Sequence, residues 1–162
     1  EPAPVVDADV LPDAASSGRP LPFRAVEGGV LLVYFGYTQC PDVCPTTLAL
    51  MAQLSRDAAL SDLRTVFVTV DPARDTQEVM HSYIEAFGGN MTGLRGDKAA
   101  LDQLATSLGA AYSVDATADG GSRVDHTAAL FYIDAQGRFA AVFTPPFTLP
   151  TLRADLARLV AH

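Results

Sequence analysis

The stretch Val30-Leu31-Leu32-Val33-Tyr34-Phe35-Gly36-Tyr37-Thr38-Gln39-Cys40-Pro41-Asp42-Val43-Cys44-Pro45 decides the fold class. Its first six residues form the longest apolar run in the chain and read as a buried strand. Its second half holds both cysteines, Cys40 and Cys44, four residues apart. From about Thr46 to Leu60 the apolar positions Leu48, Met51, Ala52 and Leu54 then recur at helical spacing. A strand that runs into a turn and then a helix sets such a pair at the mouth of an α/β fold. The first turn of a helix also favours the thiolate form, because its unpaired N–H groups carry partial positive charge. Two thiolates on one rim can exchange electrons as a disulfide or hold a soft metal.

Working outward, Gly28-Gly29 punctuates the chain just before this strand. Further upstream, Glu1 to Val6 reads as an extended, mobile tail whose prolines forbid helix. Two short strands are expected to pair around the turn residues Asp13 to Gly18. Downstream, Thr65 to Val70 is dense in β-branched residues and suits a central parallel strand. Asp75 with Glu78 reads as a capping box, opening a helix that carries Val79, Met80, Tyr83, Ile84 and Phe87 and stops at Gly88-Gly89. A further helix is expected over Asp97 to Leu108, ending at Gly109. A Gly-rich polar loop follows from Asp115 to Asp125. Thr127 to Ile133 and Arg138 to Thr144 then form a hairpin about Asp134 to Gly137, and a final helix covers about Leu149 to Ala161. This alternation predicts one α/β domain with a mixed central sheet and helices on both faces.

The 162 residues suit a tail over 1–6 and a single domain over 7–162. No apolar run approaches the roughly 20 residues needed to cross a bilayer. The first residue is Glu1 rather than Met, from which an upstream signal or membrane anchor is expected. A net charge of −8 argues against nucleic acid and against anionic membrane surfaces as partners. Two cysteines are too few for a disulfide-stapled scaffold, so the pair reads as chemical rather than structural.

Within a regular helix, residues at i and i+4 have Cβ atoms roughly 5–6 Å apart, whereas a disulfide needs about 3.5–4.5 Å. Cys40 is expected to precede the helix, so the loop can close or open that gap. The three-residue spacer departs from the Cys-x-x-Cys of a plain thioredoxin and favours a metal. Three histidines are available as a further ligand. His162 is terminal, and His81 sits mid-helix between Met80 and Ser82, where a surface role is the ordinary reading. His126, in Val124-Asp125-His126-Thr127-Ala128, stands at the junction of a polar loop and a strand. Alone it would be read as satisfying a strand end. The incomplete Cys40–Cys44 pair gives it weight, and no Met-rich segment competes. Two thiolates and an imidazole suit Cu(I) and tolerate Cu(II). They also resemble a zinc site, though structural zinc usually takes four protein ligands and no fourth stands out.

Tyr34 to Pro45, Val70-Asp71-Pro72-Ala73-Arg74-Asp75-Thr76 and Val124 to Ala128 resemble, in order, the three signature segments of the Sco (SenC/PrrC) family. Thr92-Gly93-Leu94 is similar, in scrambled form, to a linker of that family, and the likeness runs from about Asp7 to the last helix. Gln39 stands where many members have His, at a position not expected to be a ligand. The resemblance implies a thioredoxin-like fold with an added N-terminal β-hairpin. It also implies a copper protein, anchored or exported to the extracytoplasmic side of a membrane, such as the outer face of a bacterial cytoplasmic membrane. Such a protein helps assemble the dinuclear copper centre of cytochrome c oxidase subunit II.

By motif position the resemblance makes Cys40, Cys44 and His126 ligands of one copper ion, Cu(I) or Cu(II). It sets Asp71 near the metal and gives Asp125 a role in tuning the histidine or facing a partner. For both aspartates a turn or cap carboxylate is the ordinary alternative. The expected partners are cytochrome c oxidase subunit II or another copper acceptor, another copper chaperone and a thiol oxidoreductase, with no nucleic acid. Chaperone rather than enzyme is the reading favoured. The rival is a thioredoxin-like thiol-disulfide reductase or thiol peroxidase with no metal role.

Overall fold

A computed structural model of the chain describes residues 30–39, 43–88, 91–96, 98–116, 122–126, 128–135 and 139–161. The expected tail and the hairpin around Asp13 to Gly18 lie outside the described residues.

Strand β1 (Val30–Gly36) is buried along its whole length, as an apolar run with no polar face must be. Its side chains alternate between two cores. Val30, Leu32 and Tyr34 join one, while Leu31, Val33 and Phe35 join the other. β2 (Leu63–Thr69) lies parallel to it, and β3 (Met91–Leu94) lies parallel to β2. On the opposite side β6 (Leu130–Ile133) and β7 (Phe139–Phe143) are antiparallel, giving the sheet order β3-β2-β1-β6-β7. The short β4 (Tyr112–Ala116) and β5 (Ser122–His126) form a separate antiparallel ribbon.

Helices α1 (Val43–Ser55), α2 (Gln77–Phe87) and α4 (Leu149–Val160) supply one core through Leu48, Met51, Met80, Ile84, Leu152 and Leu156. Helix α3 (Lys98–Leu108) covers the other face with Leu101, Leu104 and Leu108. Phe35 and Phe131 meet edge to face in that second core, with centroids 5.8 Å apart. The mixed sheet with helices on both faces is thus the thioredoxin-like arrangement expected.

Several local expectations change. The helix expected from about Thr46 to Leu60 starts earlier, at Val43, and ends at Ser55. Asp57 ends the continuation: its Oδ1 accepts from Ala59 N at 2.9 Å and starts a separate 3-10 turn over Ala58–Leu60. The Asp75–Glu78 capping box does not form. The N-cap of α2 is Thr76, whose Oγ1 accepts from Val79 N at 3.3 Å, while the Asp75 carboxylate is used elsewhere. The polar loop expected from Asp115 to Asp125 holds parts of β4 and β5, and the strand expected from Thr127 begins at Leu130. Thr92-Gly93-Leu94, read as linker, belongs to strand β3.

Candidate metal centre

The strand ends that the signature segments flank lie at one end of the sheet for reasons of topology. Because β1 and β2 run parallel, with Gly36 opposite Thr69, their carboxyl ends lie side by side. Val70 N extends the ladder by donating to Gly36 O at 2.8 Å. β6 runs against β1, with Tyr34 opposite Leu130, so β6 begins where β1 ends. Cys40 follows Gly36 by four residues, Asp71 follows Thr69 by two, and His126 precedes Leu130 by four. At about 3.3–3.6 Å per residue, each is tethered within roughly 14 Å of that sheet end. Cys40 lies outside the described residues, as do the side chains of Cys44, Asp125 and His126. The backbone makes Cys44 the second residue of α1, in the turn whose unpaired N–H groups favour a thiolate. Pro45 follows it in the same turn, where a missing N–H costs no helical bond.

Asp71 is only 3% exposed. Its Oδ2 accepts from Arg74 Nε at 2.6 Å, and its backbone oxygen accepts from the N–H groups of Arg74 and Asp75. It also borders an open cavity of about 440 Å³ whose other walls include Pro72, Lys98, Asp102, Tyr112 and Val114. Asp71 is therefore a buried turn carboxylate two residues past the end of β2.

His126 is the last residue of β5 and pairs with Tyr112 in β4, while Asp125 pairs with Ser113. Tyr112 is tied to α3, its hydroxyl donating to Asp102 Oδ1, while Lys98 Nζ reaches Asp102 Oδ2 at 2.6 Å. The Lys98 hydrogen bond, reinforced by that from Tyr112, holds the Asp102 carboxyl below its usual range. Burial, with the Asp102 hydrogen bond, pushes the Tyr112 phenol well above its usual range. The strand that ends in His126 thus rests on a ribbon pinned to α3.

The structure also brings in residues that the sequence did not mark. Asp75 is fully buried, its carboxylate accepting from Thr38 N at 3.0 Å, from the Thr38 hydroxyl, and from Thr69 Oγ1 at 2.6 Å. Arg95, just past β3, donates from Nε to Asp75 O and from Nη2 to Pro72 O, both at 3.0 Å. The Asp-Pro-Ala-Arg-Asp run marks this turn in the sequence, but local pattern assigned its second aspartate to a helix cap. His81 is exposed on α2 with Nε2 3.5 Å from Glu85 Oε2. Gln39 is exposed and borders an open groove with Thr38, Glu78 and Val79. By donor chemistry alone, two thiols and an imidazole are a soft set of the kind that suits copper.

A family model described as SCO1/SenC matches residues 14–161 of the chain. The human protein named "Protein SCO1 homolog, mitochondrial" is 37% identical over 121 residues, covering 72% of this chain and 40% of that protein. The chain therefore spans about two fifths of that relative's length. The solved structure of Bradyrhizobium japonicum ScoI with copper bound is similar at a TM-score of 0.81 and 32% identity, covering 98% of this chain and 99% of the other. The solution structure of the apo Sco1 protein from Thermus thermophilus gives a TM-score of 0.82 at 32% identity, over 98% and 92% of the two chains.

Proposed function

Because this chain belongs to the SCO1/SenC family, we propose that it is a copper metallochaperone that binds one copper ion through Cys40, Cys44 and His126 and passes it to a copper-accepting protein. The observation that carries this reading is that the β1–β2 and β1–β6 registers bring to one sheet end the strand ends from which the Cys40, Asp71 and His126 segments depart. The likeness to ScoI with copper bound supports the cargo.

Copper is cargo here, held by two thiolates and one imidazole. Three ligands leave room for an incoming one, so the ion leaves by ligand exchange rather than by release into solution. Metal loading requires both thiols reduced and deprotonated. The same pair reduces an acceptor disulfide by thiolate attack and mixed-disulfide resolution. Cys40 and Cys44 together give up two electrons and two protons, and the acceptor disulfide becomes a dithiol. Delivery and reduction are two settings of one site.

The proposed acceptor is the dinuclear copper site of cytochrome c oxidase subunit II, and the proposed location is the extracytoplasmic side of a membrane. No described helix is long and apolar enough to cross a bilayer. Residues 7–162 form the copper-binding unit in this reading, and Asp125 tunes His126 or faces the acceptor.

Titration of the reduced protein with Cu(I) and Cu(II) tests the assignment. One equivalent should bind, with thiolate-to-copper charge-transfer absorption for Cu(II). Cys40→Ser, Cys44→Ser and His126→Ala should each weaken it, while His81→Ala should not. Unchanged stoichiometry and affinity in Cys40→Ser or His126→Ala would overturn the ligand set. Thiol turnover that needs both cysteines but neither copper nor His126 would favour the reductase reading.

A further inference from the structure

The buried carboxylate of Asp75 has no part in the ligand set, and α2 does not need it, because Thr76 caps that helix. A carboxylate with no solvent exposure is costly unless its lone pairs are filled. Here the donors come from the chain leaving β1 and from the last residue of β2: Thr38 gives its N–H and its hydroxyl, and Thr69 gives its hydroxyl. The Thr69 oxygen in turn accepts from Asp71 N at 3.0 Å. Nearby cations are engaged on other atoms, Arg74 on the Asp71 carboxylate and Arg95 on the carbonyls of Pro72 and Asp75. The carboxylate is therefore devoted to tying two strand ends together.

Thr38 lies two residues before Cys40, and Asp71 lies two residues after Thr69. We propose that Asp75 is the positioning residue of the site, its carboxylate fixing Thr38 to Thr69 and so setting the point from which the chain leaves β1 toward Cys40. For the copper cargo this rests on the ligand reading above. For the thiol pair it does not, because a disulfide needs Cβ atoms about 3.5–4.5 Å apart. Where the loop is anchored sets how readily that distance is reached. Asp75 fixes Thr38 through both its donors, and Thr38 stands two residues before Cys40. Groups one shell out from a metal commonly change its affinity by about 10–100-fold when removed.

The test compares Asp75→Asn, Thr38→Val, Thr38→Ser and Thr76→Ala. Cu(I) affinity is read by competition with a chromophoric chelator, and the reduction potential of the Cys40–Cys44 pair by glutathione equilibration in metal-free protein. Asp75→Asn and Thr38→Val should weaken Cu(I) by about tenfold or more at unchanged stoichiometry and shift the potential. Thr38→Ser, which keeps the hydroxyl donor, should restore both. Thr76→Ala should lower stability while leaving both values at wild type. If Asp75→Asn does not fold, the Thr38→Val and Thr38→Ser pair decides. Wild-type affinity and potential in folded Thr38→Val would overturn the proposal, as would an equal loss in Thr76→Ala. A shifted potential in a protein whose copper binding ignores His126 would support the clamp and refute the ligand set, so the two failures are separable.

Discussion

Gly93 shows how one residue can be placed by packing alone. It sits in β3, and a Cβ built on it would lie 2.2 Å from Ile84 Cδ1 and 3.2 Å from Met80 Cε, both side chains of α2 buried in the core. An added methyl there would have to push the ends of both side chains aside within the packed core. Gly93→Ala should therefore destabilise by about 1–3 kcal/mol, the usual cost of overpacking, seen as a lower urea midpoint with little change in slope. The sequence did not reveal this role, because a glycine flanked by Thr92 and Leu94 looks the same in a linker and in a short strand. Asp75 and Thr76 teach the complementary lesson. Asp75 and Glu78 match the local capping pattern, but Thr38 and Thr69 claim the Asp75 carboxylate through contacts that no local window contains. Thr76→Ala should accordingly cost about 1 kcal/mol, the usual price of a lost helix cap, measured by thermal or urea unfolding.

Continuous apolar runs made some strands easier to read than others. β1 and β2 were legible because burial on both sides writes a continuous apolar run. The β4–β5 ribbon carries no such run, since Ser113 and Val114 are exposed, and a two-stranded ribbon alone is marginal in water. Its anchor is tertiary, the Tyr112 hydroxyl on Asp102 of α3. Tyr112→Phe should therefore speed amide hydrogen exchange across residues 122–126 while leaving β1 protected, which mass spectrometry resolves. Asp102 also gives this anchor a pH dependence. Its carboxyl is held below the usual value by Lys98 and then by Tyr112. The unfolded chain titrates near 3.9, so it takes up the proton first as pH falls. The stabilisation is complete above that value and fades as pH drops through the folded one. Unfolding measured from pH 6 to pH 2 should show the stability gap between wild type and Asp102→Asn narrowing at the acid end.

At the scale of the molecule, the sheet separates the site from the stability that supports it. The site end is where β1 and β2 finish and β6 begins. That β1 and β2 are adjacent parallel strands followed by the Cys40 and Asp71 segments was readable from the alternation of elements; that β6 pairs with β1 was not. The far end of β2 begins at Leu63, after the 3-10 turn capped by Asp57, and α4 is tied to that region by the Arg153–Asp57 ion pair. Leu156 of α4 is fully buried in the core on that side of the sheet. Leu156→Ala should cost about 2–5 kcal/mol in unfolding free energy, the range for a truncated core leucine. Copper bound only by the folded state adds RT ln(1 + [Cu]/Kd), up to about 2.7 kcal/mol at a hundredfold excess over Kd. Because that increment depends on affinity and not on the starting stability, Leu156→Ala and wild type should gain equally from the same free Cu(I). Asp75→Asn should gain about 1.4 kcal/mol less if its affinity falls tenfold. Urea titrations with and without chelator-buffered Cu(I) measure all three increments. A reduced gain in Leu156→Ala would mean that site and core are not separable and that strain passes through the sheet between them.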